Sequence, residues 1–427
     1  MDWSITLPPN SYIHKLISSH TDNIEELCNS AKLVPKLTSE LDSTFIYYRG
    51  VVLQNLSFEF YKNEEGEAYQ TRYPFYLTMP VCLTQFSYNY KFKNSDYQFT
   101  QTDTAIPHCI AMFYVNPNDK NSILINDTVH VAGVCQYQKT QLPIIHIFAY
   151  KIANYNIMPS LCFLKSDYQS LVNFVSSELG DDLLAEYVIL LLGMPQKGDS
   201  KPLSLLITRK DMACDERLIK TLQYLVEYVK YIDSYTEPMH STMDYEQTPE
   251  ILVPGQLQLG NGTALVINLD NIPVESMDSI DNLLNGKVDY HFGPSLYQIR
   301  TKLRTILTTN NEDTNQLPPA SLYIKYKCEQ NTSPKITVPS DYKYIQLIDK
   351  AWTSPFRVDI PNEVEQLMID SWIQNREVAN IDDFNTWVSL SRTLCYLHGD
   401  DIVTDQHWNH ILALECNRRE RISLKSV

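Results

Sequence analysis

Hydrophobic and polar positions divide the chain into stretches of different period. Phe45 to Leu56, Tyr73 to Met79, Thr128 to Tyr137 and Pro143 to Ile152 are rich in β-branched and aromatic residues, and Asn- and Asp-bearing segments separate them. This pattern predicts the strands of a small barrel or twisted sheet, with Asn63 to Gln70 and Asn89 to Thr104 as exposed loops. From Tyr168 the spacing is helical. Leu183 to Leu192 is apolar all round except for Glu186, and Gly193-Met194-Pro195 stops it, which predicts a buried helix. Asp181 and Asp182 at its start suit orphan amides and the helix dipole, so the Asp181, Asp182 and Glu186 carboxylates need no catalytic explanation. Further on, the pattern predicts a strand over Leu203 to Ile207, a helix from Glu216 to Tyr231, a helix from Ser276 to Leu284 and a strand over Thr305 to Thr308. Strands alternating with helices predict an α/β unit with a largely parallel sheet. The last hundred residues predict three helices: Pro361 to Asn375, one capped by Asp382-Asp383 and running to Leu397, and one from Thr404-Asp405 through Trp408 to Arg421. Loosely helical spacing at Ile13 to Ile17 and Ile24 to Leu27 predicts a short lead-in that Pro35 ends. The expectation is a multidomain α+β and α/β chain. It has a helical lead-in over 1–40, a β-rich domain over 41–160, an α/β domain over 165–330 and a helical region over 331–427.

The chain is organised around Val253 to Asp270. Gln256 to Leu259 alternates polar and apolar, Gly260-Asn261-Gly262 offers the φ > 0 chemistry of a tight turn, and Thr263 to Leu269 is an apolar run. These features predict a hairpin whose second strand is buried on both faces. Nucleotide hydrolases keep metal-binding carboxylates just after such a strand. Here the residues are Asn268 and Leu269, with one acid at Asp270; a hydrolase needs a carboxylate to hold the metal, and the amide of Asn268 carries no charge to do it. A phosphate-cradling loop needs glycines, a lysine and a hydroxyl after its strand. Leu203 to Ile207 leads instead into T-R-K-D-M-A-C-D-E, where Asp215 and Glu216 stand at the positions of the lysine and hydroxyl and would repel a triphosphate. The pair Gly286-Lys287 follows a helix and lacks the first glycine, so it reads as a turn. Asn310 ends a strand where hydrolases keep a polar sensor, yet without a phosphate loop it serves a local turn. ATP hydrolysis is not expected.

Composition narrows the classes further. Lys and Arg total 35 against 51 Asp and Glu, a net charge of -16, which opposes generic binding of a phosphate backbone. The aromatic strands of a five-stranded, oligonucleotide-binding-like barrel are open to a stacking role, but a core or protein-facing role suits the charge better. Nine cysteines carry no C-x-x-C spacing, so neither a zinc ribbon nor a dithiol pair is indicated, and reduced thiols are expected. His407 and His410 lie three apart on a predicted helix, without a partner at ligand spacing, so no metal is expected there. No G-x-S-x-G elbow or H-E-x-x-H helix occurs. There is neither a signal peptide nor an apolar run of membrane-spanning length, which predicts a soluble intracellular chain whose N-x-S/T triplets at Asn55, Asn126, Asn261 and Asn331 stay unglycosylated.

Several stretches together resemble the MCM-binding protein family. They are L-G-D-D-L-L-A-E-Y-V-I-L-L-L (179–192), L-V-P-G-Q-L-Q-L-G-N-G-T-A-L-V-I (252–267) and K-V-D-Y-H-F (287–292). D-D-F-N-T-W-V-S-L-S-R (382–392), W-N-H-I-L-A-L-E-C-N-R-R-E-R (408–421), V-P-K-L (34–37) and S-F-E-F-Y (57–61) fit less sharply. The family is itself similar to subunits of the hexameric MCM replicative helicase. The resemblance implies a degenerate AAA+-like centre, with the helicase's metal-binding acids falling on Asn268 and Leu269 and its phosphate loop on 208–216, around Asp215 and Glu216. It implies no catalytic residue, metal or cofactor. It also implies a nuclear, non-catalytic partner of MCM helicase subunits, acting in their assembly, stabilisation or unloading during DNA replication. Two alternatives stay open: a single-strand nucleic-acid module on the barrel, and a residual ATPase.

Overall fold

A computed structural model of the chain describes residues 4–5, 33–34, 37–56, 58–62, 69–78, 83–87, 107–114, 116, 123–137, 142–152, 164–195, 201–234, 239, 241–244, 251–292, 294–312, 317–327, 343–353, 358–377 and 379–423. The predicted lead-in helices, and most of the two predicted exposed loops, fall outside them.

The first sheet contains β1 (Ser4–Ile5), β2 (Leu33–Val34), β3 (Phe45–Asn55), β4 (Glu59–Lys62), β5 (Tyr69–Thr78), β6 (Pro107–Phe113), β7 (Thr128–Gln136) and β8 (Ile144–Ile152). Five of these close a barrel in the order β3-β7-β8-β6-β5, with β5 returning to pair with β3. The predicted strands are all present. The pattern missed β4 and β6, which lie beside polar sequence, and also β1 and β2, two-residue strands that join this sheet from within the stretch expected to be a helical lead-in. Alternate residues fill the barrel, among them Tyr48, Phe75, Phe113, Val129, Val131, Ile145 and Tyr150, all buried. Gly133 is required where β7 crosses β8, since a Cβ there would lie 2.3 Å from the His146 carbonyl oxygen.

Next come helices α1 (Lys165–Leu179) and α2 (Asp182–Gly193), then β9 (Ser204–Thr208), α3 (Met212–Leu222) and β10 (Val229–Ile232). They are followed by β11 (Ser241–Asp244), β12 (Ile251–Val253), β13 (Ala264–Asn268), α4 (Met277–Leu284), β14 (Lys287–Phe292), β15 (Ser295–Arg300), β16 (Arg304–Thr309) and β17 (Leu322–Lys325). Five strands form an all-parallel sheet in the order β10-β13-β16-β9-β17. β12-β11-β14-β15 makes a separate, mixed sheet beside it. The helix expected over Glu216 to Tyr231 is in fact α3 ending at Leu222, then a turn and β10. The mostly apolar stretch Leu225 to Ile232, broken by Glu227 and Lys230, is too short to separate helix from strand by period alone.

The parallel sheet is covered on both faces, which is why its strands read as unbroken apolar runs. On one face, Leu205, Ile207, Val266 and Ile306 join the core made with α1, α2 and the C-terminal helices. On the other, Leu206, Leu265, Ile267 and Leu307 pack on α4, together with Leu53 and Tyr76 of the barrel. Helix α2 carries ten buried residues, and Asp181 caps it by accepting from the Leu184 amide at 3.1 Å.

The predicted hairpin at 256–270 is not formed. Gln256 to Leu259 is turn and coil rather than strand, and β13 pairs in parallel with β10 and β16. The polar groups of this segment are spent on another element. Asn261 donates from its backbone to Asn126 O at 2.8 Å and from Nδ2 to Asp127 Oδ1 at 3.0 Å, and Gln258 Nε2 reaches Leu53 O at 3.4 Å. The Gly-Asn-Gly stretch thus fastens the barrel to the parallel sheet. The C-terminal helices are α5 (Lys343–Thr353), α6 (Asn362–Asn375), α7 (Ile381–Leu397) and α8 (Asp405–Ser423). The cap of α7 is Asn380, with Asp383 completing the capping box; the predicted Asp382 cap is one residue inside the helix. On α8, Arg418 donates to Tyr323 O and Arg421 to Lys325 O, so this helix covers the outer edge of β17.

Candidate functional site: an arginine at the carboxyl edge of the parallel sheet

In an open parallel sheet, ligands bind beyond the carboxyl ends of the strands, where neighbouring connections leave in opposite directions. The chain leaves β9 toward β10 on one side and leaves β16 toward β17 on the other, so the crevice lies between β9 and β16. Arg209, the residue after β9, fills it, with its side chain 0% exposed. Three segments supply four acceptors to its guanidinium. Nε donates to Asp215 Oδ1 at 2.6 Å from the first turn of α3. Nη2 donates to Asn268 Oδ1 at 2.8 Å at the end of β13. Nη1 donates to Asp270 Oδ2 at 3.0 Å and to Asn310 Oδ1 at 2.5 Å just beyond β16.

The acceptors are themselves held in place. Asp215 Oδ2 accepts from Tyr231 and Thr308, each at 3.2 Å. Asp270 Oδ1 accepts from Thr309 Oγ1 at 2.7 Å and from the Asn310 amide at 3.0 Å. Asn268 Oδ1 also accepts from the Asp270 amide at 3.1 Å. Burial works against the charge on Arg209, but the hydrogen bonds and charges of Asp215 and Asp270 outweigh it and hold the guanidinium above its ordinary value. Burial pushes the Asp215 carboxyl up, against the pull of Arg209, Tyr231 and Thr308. With donors on both its oxygens, Asp215 is the ionised partner of a charged pair.

Of the four positions the sequence marks, the structure brings two together: Asn268 and Asp215 meet on Arg209. Leu269 is buried among the apolar residues packed on α4. Glu216 is exposed and faces Lys220 at 3.9 Å. Asn310 does more than serve a local turn, since its side chain also accepts from Arg209. Sequence reasoning missed Arg209 and the role of Asp270. The available signal was a lone arginine directly after a five-residue apolar strand, where a solvated turn is the usual outcome.

Among the described residues, one group has metal-ligating geometry: His398, Asp400 and His407. His407 Nε2 lies 3.2 Å from His398 Nδ1 and 3.3 Å from Asp400 Oδ2. However, His407 Nδ1 accepts from the Thr404 amide at 3.1 Å, as a helix cap does. That bond puts the ring proton on Nε2, the nitrogen a metal would need unprotonated, so Nε2–H is a donor to His398 and Asp400 instead. His410 takes a different partner, Glu186 Oε2 at 2.6 Å. Among the described residues no helix is long and apolar enough to cross a membrane.

Residues 111–422 match the family described as mini-chromosome maintenance replisome factor. The chain is 23% identical over 372 residues to the mini-chromosome maintenance complex-binding protein of Mus musculus, covering 72% of this chain and 56% of that protein. To the Arabidopsis thaliana protein of the same name it is 21% identical over 216 residues, 45% of this chain and 36% of that one. The chain therefore spans about half the length, or less, of these curated relatives. With the family match running from the second half of the barrel through the last helix, the chain belongs to the mini-chromosome maintenance replisome factor family.

Proposed function

We propose that the protein is a non-catalytic binding partner of mini-chromosome maintenance helicase subunits, acting in their assembly, stabilisation or unloading in the nucleus. The relatives carry complex binding in their names, and the observation that carries the non-catalytic half is Arg209. A nucleotide–magnesium complex entering the crevice would have to displace a buried guanidinium from two carboxylates and two amides. Breaking such a buried pair costs about 3–5 kcal/mol, before any phosphate contact is made. On this reading the sheet is a degenerate AAA+-like core in which a side chain of the protein's own fills the crevice a nucleotide would need. Such a core would dock against helicase subunits without contributing hydrolysis.

Isothermal titration of the full chain against each purified helicase subunit, paired with an ATP-turnover assay, tests this. Saturable binding to at least one subunit and no turnover above buffer are expected. No binding to any subunit overturns the partner assignment; turnover overturns the non-catalytic one. A second reading rests on Phe58, Phe60 and Tyr69, which are exposed on one face of the β4–β5 hairpin and offer a base-stacking platform. It requires oligonucleotide affinity that falls steeply with salt, and the net charge of -16 opposes it.

A further inference from the structure

β15 is an outer strand of the mixed sheet. Among the described residues it pairs with β14 on one side and with no strand on the other. Ser295, Leu296, Tyr297, Gln298 and Arg300 are all exposed, Leu296 at 54% and Tyr297 at 55%. The β14–β15 register runs through six consecutive pairs without a shift, so no bulge twists the edge away, and no proline interrupts the strand. The outer edge of β17, by contrast, lies under α8.

The ladder fixes where the backbone groups of β15 point. The Thr301 amide donates to Gly286 O at 2.9 Å, one step beyond the Lys287–Arg300 pair. Hydrogen-bonded and non-bonded pairs alternate in an antiparallel ladder. Ser295, Tyr297 and Ile299 therefore bond inward to β14, and Leu296, Gln298 and Arg300 aim N–H and C=O outward. Lys287 and Arg300 form a non-bonded pair, the kind whose side chains lie closest, and both are cationic. Like charges directly opposite each other destabilise a sheet. The one carboxylate on the two strands, Asp289, accepts from Asn282 Nδ2 at 2.9 Å and from Gln298 Nε2 at 3.2 Å.

We propose that β15 takes up an extended acidic segment of a partner protein as an added strand. In the antiparallel orientation, the commoner one, residues of the segment fall opposite Arg300, Gln298 and Leu296 in that order. A carboxylate opposite Arg300 relieves the cationic pair, and an apolar residue four positions later meets Leu296. Main-chain hydrogen bonds supply the affinity and these two side chains the selection. A second copy of the chain fits less well. Pairing β15 with itself about a two-fold axis at Gln298 sets Leu296 opposite Arg300 and brings no carboxylate to the edge. The site does not rest on how the Arg209 crevice is used, nor on the partner being a helicase subunit.

The test uses the full chain labelled with 15N at leucine and tyrosine. The outward Leu296 amide and the inward Tyr297 amide are assigned by Leu296→Val and Tyr297→Phe. The probe is the peptide acetyl-T-E-T-T-T-V-T-amide, its glutamate placed for Arg300 and its valine for Leu296. A saturable downfield movement of the Leu296 amide proton is expected, with a smaller change at Tyr297. Lysine in place of the glutamate should weaken binding about two- to fivefold, and Arg300→Glu should reverse that preference. N-methylation of the central threonine, which removes the donor facing Gln298, should abolish the shift. No Leu296 shift at millimolar peptide, an equal shift with the N-methylated peptide, or equal binding of the glutamate and lysine peptides overturns the proposal. A Leu296 shift that follows the protein's own concentration without peptide assigns the edge to a second copy and overturns it too.

Discussion

The two edges of one parallel sheet handle a buried arginine in opposite ways. At the carboxyl edge Arg209 meets four oxygen acceptors from three segments, with both carboxylates further anchored by hydroxyls and an amide. At the amino edge Arg304, which opens β16, has one carboxylate, that of Asp349, itself 39% exposed, and the face of the Trp352 ring, and its Nε has no hydrogen-bond partner. A guanidinium has five donors in a rigid fork, so the number of acceptors around it decides how firmly it is held. The first fork is held from three sides; the second is buried with part of its donor capacity unused.

Removing Arg209 should give the largest effect that tests this contrast. Arg209→Met leaves Asp215 and Asp270 without their counter-charge and should cost about 3–5 kcal/mol in denaturant unfolding. Arg304→Met should cost about half as much, since Asp349 can turn to water when its partner goes. Equal losses for the two would break the comparison.

Acid should separate the edges next. Burial above all, then the charges of His407, Lys165 and His410, pushes His398 down to about 3 from an ordinary 6.5. His407 is lowered as well, by burial first, although Asp400 pulls it up. A histidine whose folded value is lowered contributes stability that is complete above the unfolded value near 6.5 and is lost as pH falls toward the folded one. Hydrogen exchange in α7 and α8 should therefore accelerate between pH 6.5 and pH 5 relative to β9 and β13, whose Arg209 stays charged throughout. His398→Asn should flatten that dependence.

The smallest effect is expected from Asn268→Asp. It places a carboxylate at the end of β13 beside Arg209, yet the guanidinium remains in the crevice. ATP turnover should stay at the buffer level; measurable turnover would show that Arg209 does not close the site.

Much of the architecture was legible in the residues because it follows from local periodicity. The apolar runs at Leu203 to Ile207 and Thr263 to Leu269 had to be strands buried on both faces, and a helix apolar all round at Leu183 to Leu192 had to be interior. The sequence likewise showed that Asn268 and Leu269 bring no carboxylate to the end of that strand. The tertiary structure alone decided what Asn268 meets. Arg209, Asp215, Asp270 and Asn310 are separated by up to 101 residues, and only the parallel pairing of β13, β16 and β9 carries them to one edge. The same holds for Gly260-Asn261-Gly262, whose turn chemistry was visible but whose partner, Asn126 on the barrel, was not. Period and propensity are properties of neighbours in the chain; which polar group meets which is fixed by strand order, and strand order is a long-range choice.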